Sequence, residues 1–190
     1  SFLSRFFPAA TVNVGQRLRD LPEGGEVPGL VGWRWHFTPG HAPGHVCYFQ
    51  RYESVLLAGD ACITMDLDSA MGIVAQEPEI CRPPAPFTYD WDQAHRSVEL
   101  LADLRPATIG AGHGEPMSGP AVAAGLADLA RDFPRPRRGR YASEPARADE
   151  TGVTFVPPPA PDPAPKIALA VGLAAVAIGA LVALSRRDGE

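Results

Sequence analysis

At 190 residues the chain has room for one ordinary domain and an appendage, and its 21 prolines, about twice the usual share, mean that part of it is not packed. With 45% hydrophobic and 21% charged residues it is too apolar for a disordered chain and too mixed for a polytopic membrane protein. A net charge of -5 argues against a nucleic-acid partner held by bulk charge. Cys47, Cys62 and Cys81 are odd in number and widely spaced, which excludes a disulfide scaffold and fits a reducing compartment. Nothing near Ser1 has the basic start, apolar middle and small-residue cleavage site of a signal peptide, and the authentic start is expected upstream of it.

Residues 30–37 are apolar and β-rich, with Trp33 and Trp35 in alternation, and predict a strand. Residues 46–49 and 55–58 predict two more, joined across the polar run 50–54 as a hairpin. Asp90 followed by Gln93 resembles a capping box, and Ala94, Val98, Leu101 and Leu104 recur at helical spacing until Pro106 stops them. A short strand is expected at 108–109, and Pro120 opens a second helix through Leu126, Leu129 and Ala130. Residues 1–142 thus read as a mixed α/β domain. Residues 143–166 are polar and then proline-rich; proline lacks the N–H that a central strand or a helix interior needs, so an extended, semi-rigid linker is predicted. Residues 167–184 carry no charge and as a helix span roughly 27 Å, near the hydrocarbon thickness of a bilayer. With Lys166 before it and Arg186 and Arg187 in the charged tail 185–190, this segment predicts a single transmembrane helix.

Three motifs carry chemistry. Thr38-Pro-Gly-His41-Ala-Pro-Gly-His45-Val describes a tight loop holding imidazole beyond a strand end, as a metal site requires. Leu56-Leu-Ala-Gly59-Asp60-Ala61 places a carboxylate just after a strand, and Gly110-Ala-Gly112-His113-Gly114 places a third donor after another. Singly each is a weak signal, since Gly-Asp is a common turn and a histidine in a glycine-rich loop is more often a surface residue. In this order and context they resemble the second half of the metallo-β-lactamase fold, over about Gly29 to Phe133.

That resemblance implies an αββα four-layer sandwich, of which this chain carries the second half only, followed by the transmembrane helix. It implies His45 as a zinc ligand, Asp60 as a catalytic carboxylate bridging two zinc ions, and His113 as a ligand of the second ion. His41 matches a loop histidine that is not ordinarily a ligand; a loop-shaping hydrogen bonder is expected there. Structural roles are expected for His36, within its strand, and for His95, on the exposed side of its helix, and Cys62 reads as a buried free thiol. The His-x-His-x-Asp-His motif that completes such sites is absent from the sequence, and an upstream segment is expected to supply it.

The function implied is metal-assisted hydrolysis of an ester, thioester or lactone in a small-molecule substrate, with a pocket wall from Met71, Pro83, Pro84, Pro86 and Phe87. A noncatalytic binding module of the same fold is the first alternative. A metal-dependent nuclease is the second, with Arg131, Arg135, Arg137, Arg138 and Arg140 as its only support. The helix predicts membrane anchorage with the domain in the cytoplasm, and Ala175, Gly179 and Ala183 give it a small-residue face for self-association.

Overall fold

The computed structural model describes residues 15–75 and 77–159. Five strands form one mixed sheet in the order β1-β2-β3-β4-β5: β1 Trp33–Phe37, β2 Val46–Gln50, β3 Val55–Gly59, β4 Thr108–Ala111 and β5 Met117–Ser118. The hairpin of β2 and β3 is present, with Tyr48 opposite Leu57 and Phe49 opposite Leu56. β1 pairs antiparallel with β2, placing His36 opposite Cys47 and Phe37 opposite Val46. β3 and β4 run parallel, with Leu56 opposite Ile109. A parallel pair needs a long crossover, and the chain between them supplies it through the short helix α1 (Ala70–Ala75) and the long helix α2 (Trp91–Asp103).

Helix α2 begins where the sequence predicts. Asp90 adopts an extended backbone and accepts from the backbone N–H groups of Asp92 and Gln93, at 2.9 Å each, satisfying two donors that the first helical turn leaves free. The Gln93 side chain donates back to the other carboxylate oxygen at 2.8 Å. Pro120 opens α3 (Pro120–Arg131), preceded by Gly119 at φ 94°.

The core lies between α2, α3 and one face of the sheet. Cys47, Leu56, Ala58 and Ile109 point to that face and pack with Val98 and Leu101 of α2 and Val122, Leu126 and Leu129 of α3. Each fully buried leucine, isoleucine or valine contributes about 1.5–3 kcal/mol. On the opposite face Trp33, Trp35 and Phe37 of β1 are in register with Gln50, Tyr48 and Val46 of β2, and Leu57 lies 45% exposed. Apart from a small two-stranded hairpin near residue 150, the described elements are thus a mixed α/β layer pair, a five-stranded sheet with helices on one side; the second large sheet and second helical layer of a four-layer sandwich are not among them.

Four features differ from the sequence reading. Residues 30–32 form a turn and not the start of β1, because Gly32 has φ +81°. Strand β5 is too short for a periodic signal. The stretch read as linker holds a hairpin, β6 (Arg147–Asp149) with β7 (Gly152–Phe155), and the compact unit runs to Pro158. Its turn is made by the Asp149 carboxylate, which accepts from the Thr151 N–H at 2.8 Å, and by Gly152 at φ +119°. It is tied down where Ala146 N–H donates to the Tyr89 carbonyl at 3.1 Å and Arg140 Nε donates to the Pro157 carbonyl at 2.6 Å. Finally, His95 is not on an exposed face: its ring stacks on Phe133 at 4.8 Å and its Nε2 donates to the Ala130 carbonyl at 2.7 Å, closing the end of α3.

The transmembrane helix expected over 167–184, its flanking charges and the tail 185–190 lie outside the described residues. Among the described residues no helix is long and apolar enough to cross a membrane.

Asp90→Ala removes the acceptor for both orphan N–H groups and should lower stability by about 0.5–2 kcal/mol, with Asp90→Asn recovering most of it. Urea denaturation of the three chains checks this, and equal midpoints would show that the cap carries no stability.

Candidate metal centre

The three motifs meet at one end of the sheet. β1 ends at Phe37, β2 begins right after His45, Asp60 follows β3 and His113 follows β4. These ends are adjacent because β2 runs antiparallel to β1 and β3, while β4 runs parallel to β3.

The 38–45 loop is docked onto the start of α2. The Gly40 carbonyl accepts from the N–H groups of Tyr89 and Asp90, at 2.9 and 3.0 Å, and the Ser97 hydroxyl donates to the Pro39 carbonyl at 2.6 Å. Gly40 has φ +132°, and a Cβ there would lie 2.3 Å from the Ala94 nitrogen, so only glycine allows this approach.

Asp60 stands at the centre of the cluster. Its Oδ2 is 3.5 Å from His41 Nε2 and its Oδ1 is 3.7 Å from His113 Nε2, while its backbone N–H donates to His45 Nε2 at 3.1 Å. The Oδ1 atom is buried with no hydrogen-bond partner. A buried anionic oxygen without a donor is costly unless a cation or a donor reaches it. Close packing holds the group: a Cβ at residue 59 would come within 2.6 Å of His45 Nε2, and one at residue 112 within 2.3 Å of Asp60 Oδ1. His113 is the most open donor, its side chain 47% exposed, and its carbonyl accepts from both the N–H and the hydroxyl of Thr64.

Burial lowers the His45 pKa below its ordinary 6.5 against the upward pull of Asp60, which favours the neutral imidazole that ligates metal. His41 is lowered by burial and by the other two imidazoles, again opposed by Asp60. Cys47, beneath the loop, is buried and its thiol is pushed up to about 12, so it stays protonated.

The structure therefore brings together His45, Asp60 and His113 as the sequence expects, and adds His41, which faces Asp60 directly and reaches Thr88 Oγ1 only at 3.5 Å. Cys62 is fully buried in the core, away from any donor role. The donor chemistry, imidazole nitrogens around a partnerless carboxylate oxygen, suits a divalent cation. The shell is not closed, however: among the described residues no group of three or more His, Cys, Asp or Glu side chains is arranged to hold a metal ion.

The expected pocket wall is only partly in place. Pro83 is buried, Met71 is 76% exposed, and a cleft of about 180 Å³ beside the histidine loop is instead lined by Phe37, Pro43, Tyr89, Gln93, Ala146 and others. A larger hollow of about 450 Å³, lined by Val31, Trp33, Arg51 and Tyr52 among others, sits at the far end of β1 and β2 from the histidines. Sequence reasoning did not single out Thr38, Cys47, Gly112 or Tyr89 as site-forming; Thr38 and Gly112 lie inside the quoted motifs, whereas Cys47 and Tyr89 carried no signal of their own.

His36 and His45 have folded pKa values below the 6.5 of the unfolded chain, both mainly through burial. Below about 6.5 the unfolded chain takes up protons that the folded one refuses, so the stability present above that pH is lost as pH falls towards the folded values. Urea midpoints of the metal-free chain should drop across that window, and a flat profile would refute the neutral assignment.

The family model for the metallo-beta-lactamase superfamily matches residues 8–113. Among curated relatives, the probable metallo-hydrolase YflN of Bacillus subtilis (strain 168) is 41% identical over 128 residues, which is 67% of this chain and 48% of that protein. The probable metallo-hydrolase YybB of the same organism is 33% identical over 82 residues, 43% of this chain and 32% of that protein. Among solved structures, TTHA1623 in a di-iron-bound form is 24% identical with a TM-score of 0.40, covering 67% of this chain and 50% of that one. The chain spans about half the length, or less, of the curated relatives it matches. The chain belongs to the metallo-beta-lactamase superfamily.

Proposed function

We propose that this metallo-beta-lactamase superfamily chain is the second half of a metal-dependent hydrolase of esters, thioesters or lactones, with two zinc ions as its metals. The observation that carries the reading is the buried, partnerless Asp60 Oδ1 facing His113, with His41 on the other carboxylate oxygen and His45 on the backbone of the same residue. His45 and His113 would hold the metals and Asp60 would bridge them. Such a centre supplies Lewis acidity, which brings the pKa of a water to about 7 and polarises a carbonyl.

The chain's own residues do the rest. Gly59 and Gly112 leave the space in which the carboxylate and His45 approach each other. His41 orients Asp60 through its Oδ2, and the exposed His113 stands on the side from which substrate enters. The cleft beside the loop, walled by Phe37, Pro43 and Tyr89 with the polar Asp90 and Gln93, suits a small acyl group or ring that carries a polar substituent. The segment expected upstream of Ser1 would supply the donors that complete the metal shell.

A noncatalytic binding module is the second reading, favoured by the open shell. The nuclease reading is weakened, since Arg131 pairs with Asp128 and Asp132 and Arg135 pairs with Asp92, which neutralises two of its five arginines.

In the protein as encoded, His45→Ala, Asp60→Ala and His113→Ala should each lower bound zinc and take ester, thioester and lactone turnover below detection, while His41→Ala keeps measurable activity. Metal analysis beside turnover assays checks this. Full metal content in Asp60→Ala would defeat the bridging role, and zinc bound without turnover in the wild type would select the noncatalytic module.

The proposal also places the domain on a membrane, tethered through 167–184 with the domain in the cytoplasm; the uncharged run and its flanking Lys166, Arg186 and Arg187 support it. The protein should sediment with membranes and leave them only in detergent. Recovery in the soluble fraction would overturn the tether, and digestion of the domain by protease added outside intact cells would overturn the orientation.

A further inference from the structure

Beneath His45 lies a chain of hydrogen bonds whose direction can be assigned from one end to the other. The Cys47 Sγ is 3.0 Å from the Ala58 carbonyl on the neighbouring strand, and a carbonyl only accepts, so the thiol proton points there. The thiol has one proton. Towards Thr38 Oγ1, also at 3.0 Å, the sulfur must accept and the threonine hydroxyl must donate. That hydroxyl likewise has one proton, so at its other contact, 2.9 Å from His45 Nδ1, the oxygen accepts and the ring nitrogen carries the proton. From the other side of the ring, the Asp60 N–H donates to His45 Nε2, which must hold a lone pair. Both ends require the same neutral imidazole, with its proton on Nδ1. Thr38 and Cys47 are fully buried, so no solvent competes for these bonds.

We propose that Cys47 and Thr38 are positioning residues: a directional relay, anchored on the Ala58 carbonyl, that locks His45 in the tautomer presenting its Nε2 lone pair to the site. Asp60 N–H holds that lone pair in the metal-free protein, and a metal taking Nε2 must displace it. From then on the ring is held from the Thr38 side, by the relay together with a hydrogen bond to the Thr38 backbone. Its end at the Ala58 carbonyl also couples the ligand to β3, the strand that delivers Asp60, so orientation of the imidazole and placement of the carboxylate share one support. The metal-binding consequence rests on the reading of His45 as a ligand, whereas the tautomer does not.

The test is nitrogen-15 NMR of histidine side chains in the metal-free protein, with zinc affinity measured in parallel by chelator competition. In the wild type, His45 should carry its proton on Nδ1. Thr38→Val removes the hydroxyl acceptor of Nδ1–H and leaves the ring only the Thr38 backbone; the share of the Nε2–H form should rise, and zinc affinity should fall about 10–100-fold. Thr38→Ser should restore both. Cys47→Ala frees the Thr38 hydroxyl to donate to Nδ1, so the share of the Nε2–H form should rise against the opposing Asp60 N–H, whereas Cys47→Ser, which keeps a donor to Ala58, should stay close to wild type. A wild-type proton on Nε2, or an unchanged tautomer in both Thr38→Val and Cys47→Ala, would overturn the relay, and the serine variants keep the comparison open if either of the others fails to fold. Tautomer shifts as expected in a protein that binds no zinc would support the relay and defeat the reading of His45 as a ligand.

Discussion

The site depends on the docking of the 38–45 loop against the first turn of α2. Gly40 approaches so near the Ala94 backbone that no side chain fits between them, and its carbonyl takes the N–H groups of Tyr89 and Asp90. The helix itself is held by Val98 and Leu101, buried against the sheet and α3. Core packing is thus transmitted through a backbone contact to two imidazoles, and a shift of α2 would carry His41 and His45 with it. Where the loop meets the helix it needs no ladder of its own, because Ser97 donates to the Pro39 carbonyl and Tyr89 and Asp90 donate to that of Gly40.

Charge completes what packing begins. At His41 burial and the neighbouring rings of His45 and His113 outweigh the pull of the Asp60 carboxylate, and at His45 burial outweighs it. The balance favours the neutral imidazole at these two positions beside the Asp60 carboxylate, the form in which a ring nitrogen can take a cation.

Much of this was legible because the motifs contain their own geometry. The Gly59-Asp60 and Gly112-His113 pairs each place a donor after a strand, and the Asp90-Gln93 pair marks the helix start that later receives the loop. The hairpin at 147–155 was hidden by the prolines that follow it, which dominate composition while Asp149, Thr151 and Gly152 set the turn. His95 was misplaced for another reason: helical periodicity locates a face relative to the sheet and says nothing of a second helix, and it is α3 with Phe133 that covers this ring. The pairing of His41 with Asp60 depends on which way a glycine-flanked loop folds, which spacing leaves undetermined.

The parallel pairing of β3 with β4 joins segments about fifty residues apart, with the whole of α2 in the intervening loop. Closing such a loop carries more entropy than closing the β2–β3 hairpin, and its reward arrives only when both strands are in place. Asp60 and His113 face each other only across that pair. A ligand that needs both residues has nothing to grip in the open chain, so its binding energy weighs on the rate at which the folded domain comes apart and not on the rate at which it assembles.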